Sequence, residues 1–437
     1  MRRLTLALAA GLALLLATTA VGAGSAATEA RLAYNAIPIG GGLYLGGFSD
    51  LYSTSSSAND FYSVTDRGPN KDGCTGTVFP LPDFPPEILR LVAGGTNLNV
   101  VKRTDLTVGG NPVSGLPART DGKNGTAYAD DAPTCTNLGY DPNGADPEGI
   151  VTDPRDNSHW ISEEYLPSVM HVSKDGEIVS RIIPAGNLSI QAPGLGVPST
   201  AAFPAIVGSK FRTNRGFEGL AISPDGKTLY TLLQSAMQNP GSSTNASRAV
   251  RVFKLDVSDP SNPTMTAEWV YRLDGTASPA VDRRISALVY AGADKLIVEE
   301  LDDVVLGGTD FTTLYLTDFT GADNILGSSW DSTATSPTLE QNFMLATATT
   351  YGPGNSCDKV PAVTGPKPGC KFVWFDIAAA LDAAGLVNGK IECVAIVQPG
   401  RTNNVDPSKG GTVAVINDND FNIDGTANDE KLQTVEK

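Results

Sequence analysis

The sequence has few of the features on which enzyme assignments often rest. It contains only two histidines, His159 and His171, and neither lies in a metal-binding spacing with other histidines or cysteines. We therefore expect both to be ordinary packing or surface residues. No Gly-x-Ser-x-Gly motif occurs, which argues against an α/β-hydrolase mechanism. The stretch DGKT (225–228) lacks the first glycine of a phosphate-binding loop, because Ala221 stands in its place.

Long apolar runs are also missing, apart from one near the N-terminus. Residues 1–26 begin with Arg2 and Arg3, continue with an apolar run of leucine and alanine, and end in small residues. This layout predicts a secretory signal peptide cleaved around Ala23 to Ala27; the alternative is an uncleaved membrane anchor. No later segment is apolar enough to span a bilayer. We expect a protein exported to the cell envelope or secreted, without stable membrane insertion after cleavage.

Basic residues are in the minority. The chain has 32 lysines and arginines against 48 aspartates and glutamates, which gives a net charge of −16. Nucleic acid and anionic membrane surfaces are therefore not expected partners, and a cation is the more natural ligand. The 46 glycines and 29 prolines make a turn-rich composition that favours many short strands over long helices.

Cysteine is sparse, with five in the whole chain. Export permits disulfides, and Cys357 and Cys370 flank a loop rich in proline and glycine, so we predict that they pair. Cys74 and Cys135 flank another long irregular stretch. Cys393 lies within the apolar run IECVAIV and is predicted to be an unpaired buried thiol. The sequence alone leaves the connectivity open.

Four stretches of the sequence repeat one pattern. In each, an acidic or small residue opens an apolar run, a turn follows, and a second strand-like run begins. The turn PDG (224–226) is typical of a hairpin, because glycine tolerates the positive φ that a tight turn requires. Each stretch therefore predicts a β-hairpin. The stretches are 46–70, 146–168, 216–236 and 284–303.

Polar residues recur at matching places in these hairpins. Antiparallel pairing brings the start of the first strand next to the end of the second, and residues four apart share one face of a strand. We therefore expect two polar side chains to meet at the same end of each hairpin. The residues near the start of the first strand are Ser49, Glu148, Glu218 and Ser286, and those near the end of the second are Asp66, Glu164, Gln234 and Glu300.

The spacing of the hairpins favours a β-propeller. Glu148 and Glu218 are 70 residues apart, and Glu218 and Ser286 are 68 apart, a period that suits a blade with long loops. We predict an all-β fold, a single propeller domain over 27–437 with six blades (seven as the alternative), long inter-strand loops and an irregular insert at about 70–140. The acids would line one mouth of the central channel. Alternatively, they are solvated residues at hairpin ends.

Two stretches depart from the hairpin pattern. Residues 375–389 predict a short helix with Gly389 near its C-terminus. Near the end of the chain, residues 420–425 fit the first half of a calcium loop, but Lys431 stands where a bidentate glutamate is needed, so this is not an EF-hand. Asp418 directly follows the strand-like run TVAVIN, at the place that the acids take in the four hairpins.

Taken in order, the motifs resemble those of a known family. The stretches GGFSDL (46–51), VTDRGPN (64–70), DPEGI (146–150), GFEGLAISPDGKTLYTLLQS (216–235), RISALV (284–289) and INDND (416–420) are similar to the bacterial phytase-like proteins described as having esterase-like activity. The resemblance covers roughly residues 40–425. It implies a β-propeller and, by analogy with calcium-dependent propeller phytases, the hydrolysis of phosphate esters. Ser49-Asp50 stands where a Ser-Gly pair is usual.

The candidate site residues are carboxylates, amides and arginines, which are ligands of hard cations and of phosphate. Many converging carboxylates repel one another unless a cation neutralises them, so we expect bound Ca²⁺ as a cofactor. The expected metal ligands are Asp66, Glu148, Glu164, Glu218, Glu300 and Asp418. The expected catalytic residues are Glu148, Glu164, Glu218, Arg67, Arg215 and Arg284, and the expected substrate-binding residues are Gln234, Ser49 and Ser286.

These residues predict an exported calcium-dependent hydrolase of phosphate esters. We expect a monomer whose partner is a small-molecule ester, with a phosphorylated one favoured. Two alternatives remain open. One is a calcium-dependent carboxylic esterase or lactonase that uses the same fold and metal, and the other is a non-catalytic exported propeller in which calcium is structural.

Overall fold

The computed structural model describes residues 27–186, 195–274, 283–302, 311–344, 365–386 and 389–437. Within these ranges short strands dominate, as the turn-rich composition predicts. The strands are β1 Thr28–Leu32, β2 Pro38–Gly40, β3 Leu43–Tyr44, β4 Phe48–Ser53, β5 Asp60–Thr65, β6 Lys71–Gly73, β7 Gly76–Val78, β8 Glu87–Gly94, β9 Asn97–Asp105, β10 Thr107–Val108, β11 Asn111–Pro112, β12 Ala127–Tyr128, β13 Pro147–Thr152, β14 His159–Glu163, β15 Ser168–Val172, β16 Ile178–Pro184, β17 Ser199–Phe203, β18 Phe217–Ile222, β19 Thr228–Leu233, β20 Ala249–Asp256, β21 Thr264–Arg272, β22 Arg284–Tyr290, β23 Lys295–Leu301, β24 Thr312–Asp318, β25 Cys370–Asp376, β26 Ile391–Val397, β27 Thr412–Asn417 and β28 Glu430–Glu436.

These strands build five blades, each with four antiparallel strands. From the innermost strand outward, the blades are β4-β5-β8-β9, β13-β14-β15-β16, β18-β19-β20-β21, β22-β23-β24-β25 and β26-β27-β28-β1. The second blade gains β17 as a parallel outer strand. The four predicted hairpins are confirmed, and they form the two inner strands of the first four blades.

The innermost strands close a ring. β4 contacts β13, β13 contacts β18, β18 contacts β22, β22 contacts β26, and β26 contacts β4. In the fifth blade β1 pairs with β28, so strands from both ends of the described chain share one sheet. The all-β propeller is therefore confirmed, but the described residues form five blades and not the six or seven predicted. The first and fourth units contain more residues than the second and third. Dividing the chain length by the spacing of these middle units therefore gives too many blades.

Close approach of neighbouring inner strands explains why glycine follows two of the glutamates. A Cβ atom on Gly149 would lie 2.6 Å from the backbone oxygen of Glu218, and one on Gly219 would lie 2.5 Å from the backbone nitrogen of Leu288. Both distances are shorter than packed atoms tolerate. The two Glu-Gly pairs therefore mark the contacts between the second, third and fourth blades.

Apolar side chains fill the spaces between the blades. The largest cluster lies among the second, third and fourth blades, where the rings of Phe203 and Phe217 pack with centroids 4.6 Å apart. Another cluster, which includes Phe48 and Phe61, joins the first blade to the fifth. Burial of such surface contributes roughly 25 cal/mol per Å², so packing between sheets holds the ring together.

The predicted irregular insert at 70–140 needs correction. β8 and β9 lie within it and form the outer half of the first blade. The loops around them carry two small sheets, β12-β7-β6 and β10-β11. The short apolar run EILRLVA is the sequence signal for β8, but the proline-rich and glycine-rich flanks obscured it.

The helix predicted at 375–389 is present but shorter. It spans Ile377–Ala384, directly after β25, and ends where Gly385 takes a left-handed φ of 71°. Glycine is favoured at this position because it has no Cβ, so the helix stops before the predicted Gly389. The other helical segments in the described ranges are Ala205–Lys210 and Leu339–Asn342, with 3₁₀ turns at Ser242–Thr244, Ser329–Asp331 and Asp420–Asn422.

The described residues test one of the two cysteine predictions, the unpaired Cys393, and confirm it. Cys74 and Cys135 form a disulfide that joins the loop between β5 and β8 to the segment that connects β9 to β13. Cys393 is a buried free thiol. Cys370 is disulfide-bonded, and its predicted partner Cys357 lies outside the described residues.

The predicted signal peptide, residues 1–26, lies outside the described residues and stays a prediction. In the part of the chain that the structure covers, no helix combines the length and apolar character needed to cross a membrane.

The contact at Gly219 leads to a stability prediction. In Gly219→Ala the added methyl group meets the backbone of the fourth blade, so we expect the free energy of unfolding to fall by about 1–3 kcal/mol. Gly241→Ala is the matched control, because no atom lies within 4 Å of a Cβ built there. Thermal unfolding followed by circular dichroism compares the two. Equal stability of both variants would contradict the close packing of the inner strands.

Candidate functional site

A β-bulge interrupts the innermost strand of every blade at the same place. In all five inner hairpins the pairing register shifts just after the first strand begins. A bulge re-aims the side chain that it carries, and bulges are common next to active sites. The bulges of the second to fifth blades contain Glu148, Glu218, Ser286 and Glu392. In the first blade Ser49 is the last paired residue before the bulge, which is formed by Asp50 and Leu51.

The residue at the end of each second strand faces the bulge. By pairing register these residues are Asp66, Glu164, Gln234, Leu301 and Asp418. The predicted Glu300 is one residue out of register, because it pairs with Ile285. A slip of one residue turns a strand side chain to the opposite face. The Glu300 carboxylate therefore contacts the Lys371 ammonium and accepts a hydrogen bond from the Tyr271 hydroxyl at 2.6 Å.

At this end of the ring the blades leave an open cavity of about 700 Å³. Among the described residues its wall carries eight carboxylates and six basic side chains, so the cavity is rich in charge of both signs. The carboxylates are Asp66, Asp146, Glu148, Glu164, Glu392, Asp418, Asp420 and Asp424, and the bases are Arg67, Lys71, Arg215, Arg284, Lys390 and Lys431.

The structure brings together most of the predicted site residues. Those that line the cavity are Ser49, Asp66, Arg67, Glu148, Glu164, Arg215, Gln234, Arg284 and Asp418. Glu218 is buried just behind this wall, where the Gln234 amide donates a hydrogen bond to its carboxylate. Ser286 and Glu300 are outside the cavity wall, and the Ser286 hydroxyl donates to the backbone oxygen of Glu392 at 2.8 Å.

Three carboxylates of the second blade converge in the cavity. One oxygen each from Asp146, Glu148 and Glu164 lies within 4.8 Å of the others, and we call these three residues the acidic trio. Oε1 of Glu164 is buried and has no hydrogen-bond partner among the described residues. A buried carboxylate oxygen without a partner is costly, and carboxylate oxygens are the ligands that Ca²⁺ prefers. The acidic trio therefore fits a divalent cation.

Electrostatic repulsion at the acidic trio is strong. Burial raises the pKa of Glu148 well above its ordinary value, and the nearby Glu218 raises it further. Burial and then Asp146 raise the pKa of Glu164 to about 8. Burial and then Glu164 raise the pKa of Glu218 well above its ordinary value. A bound cation would remove this repulsion and allow all these groups to ionise.

A second group of carboxylates, Asp66, Asp418 and Asp420, lies next to the ammonium group of a lysine. One oxygen of each lies within 4.8 Å of the others. The Lys390 ammonium contacts Asp418 directly, lies 2.6 Å from Asp420 and 3.6 Å from Glu392. Burial lowers the pKa of Lys390, but these carboxylates outweigh it and hold that pKa well above its ordinary value.

Arginines surround the acidic trio. Arg67 places its Nη1 atom 2.7 Å from Asp146 and 2.5 Å from Oδ1 of Asn214. Arg284 lies 3.3 Å from Glu392, and Arg215 lines the wall beside Asn214. Guanidinium groups present planar sets of donors, which suits them to bind carboxylate or phosphate oxygens.

Glu163 holds two members of the acidic trio in place. Its buried carboxylate accepts hydrogen bonds from the backbone nitrogens of Tyr165 at 2.9 Å and Leu166 at 3.0 Å, and from that of Asp146 at 3.3 Å. Burial raises the pKa of Glu163 to about 7. The turn that carries Glu164 and the segment that carries Asp146 are thus tied to one side chain.

Sequence reasoning missed Asp146, Glu392 and Lys390. Asp146 stands two residues before Glu148 in the motif DPEGI, of which only the glutamate was predicted as a site residue. Glu392 has the same position before an apolar run as Glu148 and Glu218, but a cysteine follows it where they have glycine. No sequence signal indicates Lys390, because its contacts are made with a strand end 28 residues away.

Comparisons with known proteins identify a family. The family described as "Phytase-like: Esterase-like activity of phytase" matches residues 44–421. An uncharacterized secreted protein from Arthroderma benhamiae is 33% identical over 162 residues, which cover 35% of this chain and 31% of that protein. This match thus spans about a third of the relative's length.

Among solved structures the chain is similar to two lactonases at low identity. A putative 6-phosphogluconolactonase from Bacteroides uniformis is 10% identical, with a TM-score of 0.30 over 84% of this chain and 66% of that one. The periplasmic gluconolactonase of Pseudomonas aeruginosa is 11% identical, with a TM-score of 0.29 over 62% of this chain and 68% of that one. At such scores the blade assignment rests on the strand pairing and the closed ring.

The raised pKa values predict how stability depends on pH. Glu164 ionises near pH 4.5 when unfolded but near pH 8 when folded. Between these values only the unfolded state loses the proton, so in chelator we expect the melting temperature to fall as pH rises from about 4.5 to about 8. Saturating Ca²⁺ should reduce or abolish the fall. Scanning calorimetry across this range, with and without Ca²⁺, measures the effect, and a rise of the melting temperature in chelator would contradict it.

Proposed function

The chain belongs to the phytase-like family with esterase-like activity, and from this premise we propose that it is a calcium-dependent hydrolase of phosphate esters. The observation that carries the proposal is the convergence of Asp146, Glu148 and Glu164 inside a cavity that arginines also line. We propose that these three carboxylates, with Glu218 behind them, hold the cation. The protein acts on a small-molecule ester in this cavity.

A bound cation supplies two kinds of chemistry, polarisation of a phosphoryl or carbonyl oxygen and a lowered pKa of bound water. The chain's own residues position the reactants. Arg67, Arg215 and Arg284 lie where they can bind the oxygens of a phosphoryl group next to the acidic trio. Gln234 holds Glu218 through its amide, and the buried Ser49 hydroxyl at the wall has no partner among the described residues, so it is available to a substrate oxygen.

The charge of the wall favours a second candidate, hydrolysis of a carboxylic ester or lactone. Eight carboxylates face six basic groups, and the buried Glu218 adds another negative charge behind them. One divalent ion leaves a slight negative excess, which opposes a phosphate dianion more than a neutral ester. Both candidates require the same cation and the same ligands.

An ester panel separates the two candidates. We expect the purified protein to hydrolyse at least one of three p-nitrophenyl substrates, a phosphate monoester, a phosphate diester or a carboxylic ester, and to lose that activity in chelator. A preference for phosphate supports the first candidate, and a preference for the carboxylic ester supports the second. Activity that is unchanged by chelation would overturn the metal-dependent mechanism.

Glu148→Gln should have opposite effects on calcium binding and on stability. The amide keeps the size of the side chain but removes a charge from the acidic trio, so Ca²⁺ should bind about tenfold to a hundredfold more weakly. In chelator the same variant should unfold at a higher temperature than the wild type, because one source of repulsion is gone. Isothermal titration with Ca²⁺ and thermal unfolding measure the two effects.

Two comparisons sharpen this test. Glu436→Gln is the matched control, because Glu436 is exposed at the end of β28 and does not line the cavity, and it should change neither quantity. The double variant Glu148→Gln/Glu218→Gln should lose less calcium affinity than the sum of the single variants, because both act through one ion. Wild-type calcium affinity in Glu148→Gln would refute the acidic trio as the binding site.

A further inference from the structure

The second and fifth blades present the same arrangement with opposite charge at one position. In the second blade the backbone oxygen of Asp146 accepts a hydrogen bond from the backbone nitrogen of Glu164 at 3.0 Å. In the fifth blade the backbone oxygen of Lys390 accepts one from Asp418 at 2.9 Å. Asp146 and Lys390 are therefore structurally equivalent residues, two positions before the bulge.

The other positions of the two blades match in charge. Glu148 and Glu164 of the second blade correspond to Glu392 and Asp418 of the fifth. The second blade completes its set with a third carboxylate, Asp146. The fifth blade completes its set with an ammonium, and this ammonium lies among Asp418, Asp420 and Glu392.

We propose that the Lys390 ammonium fills a second cation position of the cavity, so that the protein binds one divalent ion, at the acidic trio, where the charge of the wall would otherwise call for two. The inference rests on the proposed function, because it assumes that the acidic trio holds the first ion. Lys390 acts as a positioning residue that holds Asp418, Asp420 and Glu392 together without a metal.

The charges of the cavity agree with this assignment. With Lys390 present, the described carboxylates of the wall outnumber its basic groups by two, and the buried Glu218 adds one more negative charge, so one divalent ion leaves only a slight negative excess. Without the ammonium, Asp66, Asp418 and Asp420 would keep oxygens within 4.8 Å of one another and lose a cation that contacts two of them. Three carboxylates at that spacing form a site of the kind that Ca²⁺ binds.

The backbone of Lys390 has a conformation that is uncommon for lysine. Its φ is 41°, in the left-handed region that a lysine seldom adopts. Its side chain is 31% exposed to solvent, so the ammonium lies at the cavity wall and a metal ion from solution can reach this position.

The test compares calcium stoichiometry in Lys390→Met, which keeps the length of the side chain without the charge, and in Lys390→Arg, which keeps the charge. Equilibrium dialysis followed by metal analysis counts bound Ca²⁺ per chain. We expect one ion for the wild type and for Lys390→Arg, and two for Lys390→Met. Lys390→Gln is a second uncharged variant in case Lys390→Met does not fold, and circular dichroism confirms folding in each case.

A further variant locates the second ion. Adding Asp420→Asn to Lys390→Met removes one of its carboxylates, so the extra ion should bind at least tenfold more weakly while the first is unchanged. Two ions in the wild type, or one ion in both folded uncharged variants, would overturn the role of Lys390. No bound calcium in the wild type would overturn the proposed function itself, and this outcome is distinguishable from the others.

Discussion

The site depends on the repulsion among carboxylates that the inner strands force into one buried place. In the second and fifth blades a bulge places Glu148 and Glu392 at the cavity wall, and the end of the paired strand brings Glu164 and Asp418 to the same wall. Burial makes every unneutralised charge costly, so each acid must keep a proton, contact a cation or face a basic side chain. Arg67, Arg284 and Lys390 supply part of this compensation, because each forms an ion pair with a carboxylate of the cavity.

The rigidity of the ring makes this repulsion hard to relieve by movement. Neighbouring inner strands approach so closely that a methyl group does not fit at Gly149 or Gly219. Glu163 ties the turn of Glu164 to the segment of Asp146 through backbone hydrogen bonds. The carboxylates therefore cannot separate without loss of packing, and such a preorganised set is suited to a cation that must be held in a defined position.

Different blades meet the same constraint by different means. The third blade pairs Glu218 with an amide, Gln234, and the second blade collects three carboxylates. The fourth blade has Ser286 and Leu301 at the equivalent positions and contributes no acid from them. The fifth blade supplies its own ammonium. The five-fold repeat of the backbone thus carries a cavity without five-fold symmetry, and this asymmetry underlies the proposal of one cation at the acidic trio beside a substrate-binding wall.

Much of this could be predicted from the sequence, because the information is local. Turn signals and apolar alternation predicted the inner hairpins, and the alignment of the hairpins predicted that Asp66, Glu148 and Glu164 lie at the cavity. Glu218, the acid of the other Glu-Gly pair, lies behind the cavity wall. Tertiary structure decided what depends on pairing register and on distant partners. Glu300 lies one residue out of register and points away, Leu301 takes its place, and Lys390 reaches Asp418 only because two strands of the fifth blade pair. The tertiary structure also decided the number of blades, because ring closure depends on how the sheets pack and not on the spacing of the motifs along the chain.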